Sequence, residues 1–154
     1  MIRWKPLLIS LGISLGVGAL SGAIVSDAAQ QYQALQQPPG APPAWLFPVV
    51  WTILFFLMGI SAYLVWISES PERTTALKLY GAQLVINFVW PLLFFSAQQY
   101  FGSFVWLVLL WIFVAAMIVW FYQINPVAAW LQLPYLFWLT YAGYLNLMVY
   151  RLNT

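Results

Sequence analysis

Gln83 and Asn87 lie four positions apart in an otherwise apolar run, and Trp90 and Phe94 continue the spacing. In a helix this puts all four on one face. Pro91 follows Asn87 by four. Proline has no N–H and its ring crowds the carbonyl four residues back, so the Asn87 carbonyl should lose its partner and the helix should kink. One turn then offers an amide, a free carbonyl and an indole. Such a set can orient the polar edge of a ligand, or simply join two helices; the residues alone leave both open. Two aromatic clusters accompany it. Trp51 and Phe55 share one face, and Pro134, Trp138, Tyr141, Ala142 and Leu145 share another, with Asn146 adjacent. Small Ala142 and Gly143 among large rings leave room for something flat.

Other chemistry lacks residues. The 154 residues include no Cys and no His, and only three are carboxylates. Disulfides and thiolate metal sites are excluded, and so are the commonest metal ligand and the usual general base. No metal site and no obligatory cofactor are expected. A net charge of +2 is too small to suggest nucleic acid.

The positioning elements follow from hydropathy. The chain is 64% hydrophobic and 5% charged, against roughly 25% charged in soluble domains. No charged side chain occurs between Lys5 and Asp27, between Asp27 and Glu69, or between Lys78 and Arg151. A membrane-crossing helix needs about 20 apolar residues. An all-α integral membrane bundle of five transmembrane helices is therefore expected, over about 4–25, 45–67, 77–97, 102–122 and 126–150. It forms one domain, with a long loop over 26–44. The first run exceeds the about 7–15 residues of a signal-peptide core, which favours a retained span. Its small residues form two stripes, Gly12, Gly16, Ala19 and Ala23, and Ser14, Gly18 and Gly22, suited to close helix packing or a homodimer seam.

Arg3, Lys5, Arg73 and Lys78 should lie on one side of the bilayer and Arg151 on the other. The positive-inside rule then makes the N-terminus cytoplasmic, with the first loop and the C-terminus opposite. Following the helix directions brings Trp51, Asn87, Trp90, Phe94, Ala142 and Leu145 together beneath the first loop, with Trp138 deeper. The loop itself, with five prolines in Gln36–Trp51, is stiff enough to act as a lid.

Three ordered blocks carry a resemblance: Tyr32 to Pro38 followed by Pro42-Pro43-Ala-Trp45-Leu-Phe47-Pro48-Val-Val-Trp51, then Asn87-Phe-Val-Trp90-Pro-Leu-Leu-Phe94-Phe95, then Pro134-Tyr135-Leu-Phe-Trp138-Leu-Thr-Tyr-Ala142-Gly-Tyr-Leu145-Asn146. Together they resemble the TspO/MBR family, the tryptophan-rich sensory and translocator proteins that include the peripheral benzodiazepine receptor. The resemblance implies a five-helix membrane protein, often a homodimer, with a cavity closed by the first loop. It also implies ligands such as porphyrins, haem, sterols and benzodiazepine-site compounds, in a bilayer expected to be a bacterial cytoplasmic membrane. Carried over by motif, the cavity set is Tyr32, Pro42, Trp51, Asn87, Trp90, Trp138, Ala142 and Leu145; Phe55, Gln83 and Phe94 join it from the reading above. Where the family has Lys before Pro38, this chain has Gln37, so no cation stands there for a porphyrin propionate.

The leading expectation is a membrane receptor or sensor for a flat hydrophobic ligand, foremost a porphyrin. With no His to ligate haem iron, metal-free porphyrin should bind at least comparably well. One alternative is light-dependent porphyrin breakdown, with Trp51 and Trp138 as the redox-active candidates. Another is transport of a tetrapyrrole or sterol. A reversed sterol pattern fits Lys78-Leu-Tyr80-Gly-Ala-Gln-Leu84.

Overall fold

The computed structural model describes the whole chain, Met1–Thr154, and it is helical throughout. The elements are α1 (Trp4–Ile24), α2 (Ala28–Ala34), α3 (Leu46–Trp66), α4 (Arg73–Pro91), a π-helical turn (Leu92–Ser96), α5 (Tyr100–Ile124), α6 (Pro126–Leu131) and α7 (Leu133–Asn153). Helices keep every backbone hydrogen bond inside the segment, which hydrocarbon demands. Four stretches are long and apolar enough to cross a membrane: α1, α3, Arg73–Ser96 and α5. α7 has 21 residues as well, but Thr140, Asn146, four tyrosines and Arg151 make it less apolar.

Three expected boundaries change, each for a local reason. The stretch 26–44 is not all loop, because Ala28–Ala34 forms the short helix α2. The expected single helix over 126–150 divides at Gln132. Pro134 lies in the first turn of α7 and has no N–H for the Trp130 carbonyl, so one continuous helix is interrupted there. Asn125 starts α6 by accepting a hydrogen bond from the Val127 N–H at 3.0 Å. Finally, the third expected span runs as α4 up to Pro91 and then widens into the π-helical turn. Proline ends the regular ladder, and a wider turn accommodates the freed carbonyls.

Hydroxyl groups hold α1 against α3. Ser10 Oγ donates to the Gly59 carbonyl at 2.7 Å and Ser14 Oγ to the Phe55 carbonyl at 2.7 Å. The backbones approach closely here: a Cβ on Gly59 would lie 2.7 Å from Ser14 Oγ, and one on Gly18 would lie 2.6 Å from the Phe55 ring. Of the two small-residue stripes, the one with Ser14 and Gly18 therefore makes the internal seam, whereas Gly12 and Gly16 face open space. Similar bonds fix the other helices. Ser61 Oγ reaches the Ala128 carbonyl at 2.7 Å, and Trp106 Nε1 reaches the Ile86 carbonyl at 2.7 Å. Met58, Leu110, Val114, Met117 and Phe121 fill the centre with no exposed surface. Tyr80 is buried among them, so the reversed sterol pattern does not present its tyrosine to lipid.

The termini settle which charges share an end. The Arg3 N–H donates to Tyr63 Oη at 2.8 Å, near the last turn of α3 and the start of α4. Arg3, Lys5, Arg73 and Lys78 thus gather at one end, with Arg151 at the other beside the 26–44 segment.

Candidate functional site

A cavity of about 610 Å³ lies under the 26–44 segment. Its wall comes from α1, α2, α3, α4, the π-helical turn and α7. Tyr32, Trp51, Phe55, Asn87, Trp90, Phe94, Ala142 and Leu145 all line it. Three residues expected with them do not. Pro42 contributes its carbonyl, which accepts from Tyr32 Oη at 2.8 Å and so holds the lid together. Gln83 lies fully buried outside the wall, one turn from Asn87. Trp138 sits behind Phe47, its ring 5.8 Å from that of Phe47 and 5.7 Å from that of Tyr141. Its indole N–H is buried without a partner.

Two hydrogen-bond systems position the polar wall. In the first, Asn87 Nδ2 donates to Tyr135 Oη at 2.6 Å, and Tyr135 Oη donates to Gln83 Oε1 at 2.7 Å. Gln83 Nε2 points at Met58 Sδ at 3.9 Å. In the second, Trp90 Nε1 donates to Asn146 Oδ1 at 2.9 Å while Asn146 Nδ2 donates to the Tyr100 carbonyl at 2.8 Å. The open alternative for the α4 amides therefore resolves into both roles. Gln83 ties helices together, and Asn87 does so while also facing the cavity. Aromatic pairs complete the wall: Trp90 stacks on Phe94 at 5.2 Å, and Trp51 lies 5.8 Å from Phe55.

The lid is fastened from α7. Tyr144 Oη donates to the Pro39 carbonyl at 2.8 Å, and Tyr141 Oη donates to the Gly40 carbonyl. Gly40 has φ +82°, a conformation that glycine adopts without strain; the family pattern has Trp at this place. Tyr32 packs edge-on against Phe47 at 4.9 Å. Burial pushes its phenol above the ordinary value, and the neighbouring Tyr141 adds to the shift.

Sequence reasoning missed the α1 side of the cavity, Leu15, Gly18, Ser21, Gly22 and Val25, along with Phe47 and Asn146. Phe47 and Asn146 stand inside the resemblance blocks and were legible there. The α1 residues carry no chemical signature beyond smallness. No group of three or more His, Cys, Asp or Glu side chains could hold a metal ion.

An apolar, ligand-sized cavity inside a bundle of membrane-length helices defines a class, that of membrane proteins built around a small-molecule pocket. Comparison with known proteins narrows it. The TspO/MBR family model matches residues 10–151, and the chain belongs to the TspO/MBR family. It is 38% identical to the translocator protein of Sus scrofa, covering 97% of this chain and 91% of that protein. It is 36% identical to protein CrtK of Rhodobacter capsulatus, over 92% and 89% of the two chains. Identity to the tryptophan-rich protein TspO of Chlorobaculum tepidum is 36%, over 96% and 95%.

Proposed function

We propose that this chain is a membrane receptor or sensor whose cavity binds a flat hydrophobic ligand, foremost a metal-free porphyrin. The observation that carries this reading is the cavity of about 610 Å³ walled by Trp51, Phe55, Trp90 and Phe94, with Asn87 at its edge. That size falls in the range of about 300–1,000 Å³ typical of small-molecule sites. Indole and phenyl faces supply stacking area, and the amide supplies orientation.

The reading includes five spans, with α7 as the fifth, because its buried face joins α4 and α5 along the whole bundle. It places the cationic end, with Arg3, Lys5, Arg73 and Lys78, in the cytoplasm and the lid opposite. It includes a homodimer as well, since Gly12 and Gly16 leave a flat strip on α1 that no neighbouring side chain covers. Photochemical breakdown is the weaker reading, because Trp138 stands behind Phe47 and leaves Trp51 as the remaining candidate at the wall.

The test is titration of the purified protein with protoporphyrin, followed by porphyrin absorption and Trp quenching. Trp51→Leu should weaken binding about five- to tenfold, the scale of one aromatic contact, while Trp138→Phe should leave it near the native value. Unchanged affinity in Trp51→Leu would overturn the site.

A further inference from the structure

We propose that the cavity is loaded sideways from within the bilayer, through a slot between the upper halves of α1 and α3. The proposal rests on the cavity being a ligand site. It adds that the ligand is drawn from those dissolved in the membrane.

Four observations converge on the slot. First, the lid end is fastened: Tyr141, Tyr144 and Asn153 of α7 all hydrogen-bond to the lid backbone. Second, the α1–α3 seam stops partway. Its hydroxyl bonds lie at Ser10 and Ser14, and its last close backbone approach is at Gly18. The same antiparallel register carried upward sets Ser21 opposite Pro48, and no hydrogen bond joins the two helices there. Third, four residues are cavity wall and exposed at once, Ala19 and Gly22 on α1 and Pro48 and Thr52 on α3. All four are small or rigid, and a Cβ on Gly22 would meet nothing within 4 Å. Fourth, the flanking side chains Leu20, Ile24, Val49 and Ile53 are large, apolar and exposed.

The lips also suit hydrocarbon. Pro48 has no N–H, and the Thr52 hydroxyl is spent on the Pro48 carbonyl at 2.7 Å. The α3 lip therefore offers lipid no unpaired donor, which would be costly at membrane depth. A flat apolar molecule could slide between these lips without passing through water or unfastening the lid.

The chain has no cysteine, so a single introduced thiol is unique. In liposomes, Gly22→Cys should react with bilayer-soluble N-phenylmaleimide and resist a charged methanethiosulfonate. Equal reaction with the charged reagent would place the slot in water and overturn the proposal without any ligand. A bulky aryl methanethiosulfonate on Gly22→Cys should then slow protoporphyrin-induced Trp quenching about tenfold. The final amplitude should be unchanged, and dithiothreitol should restore the rate. The same adduct on Gln33→Cys, on the exposed side of α2, should have no effect. A native rate in the Gly22 adduct, or slowing only in the Gln33 adduct, overturns the slot and assigns the route to the lid. If the unmodified protein shows no quenching, the porphyrin reading fails, while the thiol reactivities still decide the slot.

Discussion

Gln36 and Asn153, 117 positions apart, grip each other reciprocally: the Gln36 N–H donates to Asn153 Oδ1 at 3.0 Å, and Asn153 Nδ2 donates to the Gln36 carbonyl at 3.0 Å. One side chain at the end of α7 thus satisfies both backbone groups of one lid residue. Replacing it should loosen the lid and leave the bundle alone. Asn153→Ala removes two exposed bonds, each worth about 1 kcal/mol. Amide exchange at Gln36 should accelerate about tenfold or more, with a thermal midpoint in detergent close to native. A large fall in the midpoint would mean that the pair supports the whole fold.

The α1–α3 seam predicts a contrast between two glycines. Gly59→Ala puts a methyl group 2.7 Å from Ser14 Oγ and 3.0 Å from the Leu11 Cα. Backbone cannot yield cheaply, so a loss of about 1–3 kcal/mol is expected. Gly12→Ala meets nothing within 4 Å and should be neutral in the monomer. Unfolding of both variants in the same detergent checks the pair.

Tyr135 bridges Asn87 and Gln83 through one hydroxyl. Tyr135→Phe keeps the ring and leaves Gln83 Oε1 buried without its donor, which should cost about 1–3 kcal/mol. Adding Gln83→Leu removes the orphaned amide and should recover part of that loss. The double variant proving no better than the single would refute the bridge as the cause.

The lid should also respond to alkali. Tyr32 ionises above its ordinary value of 10.0, mainly because it is buried. The folded lid favours the neutral phenol, so this contribution is complete below about pH 10 and is lost as pH rises through the folded value. Ionisation also ends the donation to the Pro42 carbonyl. Tyrosinate absorption with lid proteolysis, measured from pH 9 upward, should show faster cleavage in step with the late-titrating phenol. Tyr32→Phe should be cleaved readily even at neutral pH.

Much of this architecture was legible in residue types. Long uncharged runs dictated helices, and the spacing of Asn87, Trp90 and Phe94 placed them on one wall because a helix repeats every 3.6 residues. Trp138 shows the limit of that reasoning. Its stripe and depth were correct, yet Phe47 from another helix intervenes, and no pattern along one helix reveals a ring supplied by its neighbour. Tyr135 was overlooked for a related reason, since its hydroxyl matters only through partners 48 and 52 positions away. The lid helix α2 was hidden by proline-dense sequence just after it. On α1, smallness of side chain signals equally a seam, a dimer strip or a cavity wall, and only the position of α3 separates them.

The wide turn at Leu92–Ser96 has a consequence for how this chain can change length. A π-helical turn is an α-helical turn holding one residue to spare. Losing a single residue there would return the segment to ordinary helix, turning whatever follows by about 100° within the span. Phe94 and Phe95 would exchange directions, and the reach to Tyr100 would shorten. The bundle thus keeps its slack at one point, directly on the cavity wall. Among membrane spans that otherwise tolerate no insertion without rotating a whole face, this is where a one-residue indel would redraw the pocket and leave α1 and α3 in register.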